Sequence, residues 1–174
     1  MPSRRDHVDE FLEEIRAELP ADLDIEVEGI VDRINGINRR IHKMLDETLE
    51  QYDLMTGDWK VLSSLRWQGK PNRRSAGDLA RIADLSSGAM TNRLDQLEKA
   101  GLVKRVPDPD DRRGVLVELT PKGCRLHQEA IGIQAEKEAL LAEALTQREK
   151  EQLNDLLRRV MLALEARFPG RSLS

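Results

Sequence analysis

The chain has 174 residues, 39% of them hydrophobic and 34% charged, which suits one domain, or two lobes sharing a core, with long solvated helix faces. Aromatic residues make up only 3%, which argues against a stacking platform for single-stranded nucleic acid. No apolar run approaches the roughly 20 residues of a membrane span, and Met1-Pro2-Ser3-Arg4-Arg5 leads into acidic sequence rather than a signal peptide's apolar core, so a cytoplasmic protein without membrane partners is expected.

The net charge of −4 hides a division. Between Arg66 and Arg113 there are 11 Lys/Arg against 7 Asp/Glu, whereas residues 6–28 hold ten carboxylates against Arg16 alone. A basic segment on an acidic body concentrates attraction for a polyanion in one place.

In chain order, Val8, Phe11, Leu12, Ile15 and Leu19 recur at helical spacing and predict an acidic amphipathic helix ending at Pro20, within an N-terminal extension over residues 1–24. Ile30, Ile34, Ile37, Ile41, Leu45 and Thr48 then form a narrow stripe on a long helix from about Ile25 to Tyr52, the pattern of a helix seam, in a segment over 25–56. Thr56 is a candidate N-cap for a helix carrying Trp59, Leu62 and Leu65. Gly69 to Arg74 reads as a polar, basic loop.

From 75 to 120 the order is a short amphipathic helix, a turn at Ala83-Asp84-Leu85, a second helix from Ser86, and two strands (102–106 and 115–119) around Pro107-Asp108-Pro109-Asp110-Asp111-Arg112-Arg113-Gly114. A helix-turn-helix followed by a charged ribbon places one helix end in a major groove. The expected fold is mainly α with a small β-wing: a winged helix-turn-helix lobe over 57–120 and helical dimerisation segments at 25–56 and 121–168. Thr120-Pro121 opens the first C-terminal helix, which should run through Leu126, Ile133, Leu140 and Leu141, and Thr146-Gln147-Arg148-Glu149 is a capping box for the second. The face Leu153, Leu156, Leu157, Val160, Met161 and Leu164, with the Ile30–Leu45 stripe, exceeds what one small lobe can cover and predicts a homodimer.

On the second helix of the motif, Met90, Leu94 and Leu97 should pack against Leu79 and Ile82, leaving Ser87, Gly88, Thr91, Asn92 and Asp95 outward. Short hydroxyls and an amide suit hydrogen bonds to base edges, and Gly88 permits close approach. Ser86 is either a simple N-cap or a DNA contact, and Arg93 either reaches a phosphate or turns inward. Arg112, Arg73 and Arg74 are phosphate candidates, although a basic loop is commonly just solvated.

The run from Ser86 to Val103 resembles the recognition segment of the MarR family of winged-helix regulators, and Asp108 to Gly123 is similar to that family's wing and its exit into a helix. The resemblance covers roughly residues 25–168. It implies an obligate homodimer on a pseudo-palindromic double-stranded operator, base-edge reading by Thr91 and Asn92, and a wing tip in which Asp111 holds Arg113 for the minor groove. Asn92 stands where members often have arginine, which shifts the expected reading from guanine toward adenine. The resemblance also extends to Asp58, Arg93 and Arg105, a set similar to that of urate-responsive members, and implies a small anionic or phenolic effector there. Those members use a tryptophan in their N-terminal helix; here the only tryptophans are Trp59 and Trp67. Structural ion pairing is the alternative role for the three residues.

The single cysteine, Cys124, excludes an intramolecular disulfide, and His7, His42 and His127 lack ligand spacing, so neither metal nor other cofactor is expected, with a metal site shared across a dimer as the alternative. No phosphate-cradling loop or nucleophile elbow suggests an enzyme. The leading reading is a sequence-specific DNA-binding repressor; the alternative is an architectural protein without a dedicated operator.

Overall fold

The computed structural model describes residues 5–111 and 114–169. The chain divides into two compact units, Met1–Leu45 and Asp46–Ser174. No helix among the described residues is long and apolar enough to cross a membrane.

In the first unit, α1 (His7–Ile15) begins at a capping box. The Asp6 carboxylate accepts from the Val8 and Asp9 amides, and the Asp9 carboxylate accepts from the Asp6 amide, satisfying donors a helix start leaves open. Val8 and Leu12, one turn apart, form its buried edge. The helix closes at Ile15, before Leu19 and Pro20, so the expected periodicity extends past the element that carries it. Arg33 of α2 (Ile25–Glu50) donates to Asp6 at 3.0 Å and to Asp9 at 2.6 Å, fastening α1 to α2. That guanidinium holds the Asp6 carboxyl down to about 2. Ile30, Ile34 and Ile37 remain exposed.

The second unit contains the last turn of α2, α3 (Thr56–Trp67), β1 (Arg73–Ser75), α4 (Ala76–Ala83), α5 (Ser87–Lys99), β2 (Val103–Pro107), β3 (Val115–Leu119), α6 (Pro121–Leu141) and α7 (Gln147–Arg167). Its core is Leu49, Leu62, Leu65, Leu79, Met90, Leu94 and Val117, all essentially inaccessible. Burying such side chains is the main favourable term in folding, at about 1.5–3 kcal/mol each.

Two local expectations are corrected. Residue 56 is not the cap of α3: Met55 holds that position, its amide donating to Asp58 Oδ2 at 2.8 Å, while the Thr56 hydroxyl donates to Asp46. The basic loop ends in a strand: β1 joins the ribbon to give a three-stranded antiparallel sheet in the order β1-β3-β2. In that register both Arg73 and Lys104 stand opposite Glu118, so the central strand's carboxylate is paired from each side. As expected, α6 runs through Leu126, Ile133, Leu140 and Leu141; its buried stripe is Gly123, His127, Ala130 and Gln134. A Cβ at position 123 would come within 2.2 Å of the Leu102 carbonyl, so only glycine admits this approach of α6 to the sheet. Leu140 and Leu141 stay exposed, and no residue of α7 is buried.

Candidate nucleic-acid interface

The turn between α4 and α5 is built by Asp84, whose φ of 57° is left-handed, and closed by the Leu85 amide on the Ala80 carbonyl. Ser86 then caps α5, its hydroxyl accepting from the Ala89 amide. Met90, Leu94 and Leu97 are buried as the helical period requires, and Leu79 of α4 lies in the same core, with Ile82 half-buried. The opposite face exposes Ser87, Gly88, Thr91 and Asn92. A Cβ at Gly88 would meet nothing within 4 Å, so no packing within the chain demands glycine there. The Thr91 hydroxyl donates to the Ser87 carbonyl at 2.9 Å, which leaves its lone pairs and methyl group outward.

Beyond the strands, the Asp108 amide donates to the Gly114 carbonyl and the Gly114 amide to the Asp111 carbonyl. Asp111 is exposed; Arg112 and Arg113 lie outside the described residues, and with them the expected Asp111–Arg113 pairing and the phosphate role of Arg112.

The other expected cationic contacts are already engaged. Arg73 pairs with Glu118, and Arg74 Nε donates to the Ser64 carbonyl at 3.3 Å; both arginines are half-buried. Arg93 turns inward, donating from Nη1 to Asp58 Oδ1 at 2.7 Å, with the Asp58 side chain 9% exposed and that of Arg93 20%. Gly57 makes room for this pair: a Cβ there would sit 2.6 Å from the Arg93 guanidinium carbon. Arg105 does not complete a triad with Asp58 and Arg93. Its guanidinium is held by Asp95 at 2.6 Å and by Glu98, both on α5. Two of the three expected effector residues are therefore brought together, and the third belongs to a different cluster.

The family model described as MarR family matches residues 55–115. The chain is 30% identical over 153 residues to the HTH-type transcriptional regulator PecS of Dickeya dadantii, covering 88% of this chain and 92% of that protein. It is 33% identical over 131 residues to the multiple antibiotic resistance protein MarR of Escherichia coli, covering 74% of this chain and 88% of the relative. The chain belongs to the MarR family. In a crystal structure, a mutant MarR from E. coli complexed with operator DNA matches this chain with a TM-score of 0.60 and 30% identity, over 80% of this chain and 99% of that one. These relatives are transcriptional regulators rather than enzymes. As in the MarR structures, the architecture here is mostly helical with a small antiparallel sheet.

Two features of this MarR-family chain escaped sequence reasoning. His127 is buried on α6, its ring stacked on Trp59 at 4.6 Å and edge-on to Trp67, with Nε2 3.2 Å from Ser63 Oγ. Burial, reinforced by the Arg66 charge, lowers its pKa to about 4, so the imidazole is neutral at pH 7. The other is Glu118, the shared partner of Arg73 and Lys104, whose role needs the strand register to be known. Among the described residues, no group of three His, Cys, Asp or Glu side chains is placed to hold a metal ion.

Proposed function

We propose that this MarR-family regulator is a homodimeric repressor that reads a pseudo-palindromic double-stranded operator in the cytoplasm and is released by a small anionic or phenolic ligand. The observation carrying the DNA role is the exposed first turn and a half of α5. Ser87, Gly88, Thr91 and Asn92 form an unobstructed polar face, on a helix whose other face is locked into the core. Asn92 is the base reader, suited to a bidentate contact with adenine; beside it Ser87 accepts or donates and Thr91 accepts. Ser86 acts through the cap. Arg112 and Arg113 are assigned to phosphate and minor groove respectively, with Asp111 orienting Arg113.

The ligand reading rests on the Asp58–Arg93 pair, the one expected effector contact whose partners meet. An anion reaching Arg93 competes with Asp58 for the guanidinium, and Arg93 sits on the reading helix, so the exchange bears directly on the pose of α5. Coupling of about 1–3 kcal/mol would lower operator affinity several-fold to about a hundredfold.

Selection of bound duplexes from a random pool tests the DNA role. The expected product is a two-half-site sequence with centres about 10–10.5 base pairs apart, preferred at least about a thousandfold over random DNA. A protein that coats all duplexes equally is the architectural alternative instead. Screening urate, salicylate and related phenolic acids for release of the selected duplex tests the ligand role.

A further inference from the structure

Asp95 is an odd residue for a helix that approaches DNA. It follows Ser87 and Thr91 at intervals of four, which extends the exposed edge of α5 by one turn, and its side chain is 58% exposed. A carboxylate on that edge has the wrong sign for a helix proposed to approach phosphate, and Glu98 adds a second one turn later. Arg105 answers both. Its Nη2 donates to Asp95 Oδ1 at 2.6 Å and its Nη1 to Glu98 Oε2, while its main-chain amide donates to the other Glu98 oxygen, Oε1, at 2.8 Å. The amide contact has a topological cause. β2 is an edge strand of the sheet, so alternate amides face away from β3 and need an acceptor from elsewhere. Glu98 supplies it, and the same carboxylate receives the side chain, so Arg105 is fixed at its root and at its tip. The Asp95 and Glu98 carboxylates raise the Arg105 pKa above its ordinary value, favouring the charged form.

We propose that Arg105 is a positioning residue for DNA reading: it offsets one of the two negative charges that Asp95 and Glu98 put on the reading helix and holds both carboxylates back, so that an acid-bearing edge can lie against phosphate. The proposal rests on the DNA-reading role assigned above. Arg105 touches no base, and its effect passes through the two carboxylates.

The test uses the full-length protein and the duplex that the wild-type protein enriches from a random pool, with affinities read across a salt series. Arg105→Ala should weaken binding about tenfold at low salt, with the loss shrinking as salt screens the exposed carboxylates. Adding Asp95→Asn and Glu98→Gln to Arg105→Ala takes the cluster from a net −2 to zero, against −1 in the wild type, and should restore affinity to the wild-type level or above. Thermal unfolding of each variant identifies any that fail to fold, in which case Arg105→Gln with the same two neutral partners replaces the alanine series. A direct phosphate contact gives a different result: no rescue by the neutral partners and a salt slope lower by about one per chain, which overturns the proposal. Unchanged affinity in Arg105→Ala overturns it as well. A wild-type protein that enriches no duplex overturns the DNA role itself, and this inference with it.

Discussion

At Gly88 and His127, one side chain or its absence separates folding from function. Gly88 is helical, exposed and surrounded by open space, so Gly88→Ala should raise stability by up to about 1 kcal/mol through helix propensity. If DNA approaches this turn closely, the same methyl must lower operator affinity. A more stable protein that binds less tightly is the expected pair of outcomes, from urea unfolding and a binding titration; unchanged binding would remove Gly88 from the interface. His127 works in the opposite sense, through its burial in the fold. Its folded pKa of about 4 lies below the ordinary 6.5, so the unfolded chain takes up the proton first as pH falls. The stabilisation is complete above pH 6.5 and is lost progressively between 6.5 and 4, to the extent of about 3 kcal/mol. In His127→Gln, stability should be nearly flat between pH 6.5 and 5, where the wild type declines. A wild-type profile that is itself flat there would contradict the burial argument.

Elements whose signals are local were readable from the residue pattern, and those that depend on a distant partner were not. Ser86, Thr120 and the Thr146–Glu149 box cap α5, α6 and α7 as their spacing requires, because a cap involves only three or four consecutive residues. The α5 stripe Met90-Leu94-Leu97 follows from the helical period in the same way. The strand β1 has three residues and no alternation to betray it; it exists because β3 offers an edge, and Arg73, expected on phosphate, is drawn to Glu118 as a result. The site residues divide similarly. Exposure of Ser87, Thr91 and Asn92 follows from periodicity, whereas the partners of Arg93 and Arg105 come from segments that only the folded chain brings near. The sheet's charge arrangement makes a direct prediction. Glu118 accepts from Lys104 and Arg73, which hold its pKa below the usual carboxylate range. Its contribution is present above about pH 4.5 and is lost as pH falls through the depressed value. Glu118→Gln should therefore cost about 1–2 kcal/mol in urea unfolding at pH 7, with both cations partly solvated, and much less at pH 3. An equal cost at both pH values would point to packing rather than charge.

For the molecule as a whole, the main question is what covers α7. Its 21 residues carry Leu153, Leu156, Leu157, Val160, Met161 and Leu164 at helical spacing, with exposures from 37% at Met161 to 55% at Leu156. Helices of this length in water draw most of their stability from a packed apolar face, and a contiguous exposed stripe of this kind marks an interaction surface. The chain buries none of it. A second copy is the occupant we propose, since the two half-sites of the proposed operator need two reading helices. Sedimentation at micromolar concentration should give a dimer. Leu156→Glu together with Val160→Glu places charges in the middle of the stripe and should yield a monomer. That monomer should keep the core of the second unit, because no core residue lies on α7, while losing helical signal as α7 frays. Its affinity for the full operator should fall toward that of a single half-site, by about a hundredfold or more, because the second reading helix is no longer tethered beside the first. A variant that stays dimeric with both glutamates in place would show that pairing runs through another surface, and the exposed isoleucines of α2 would then be the next to substitute.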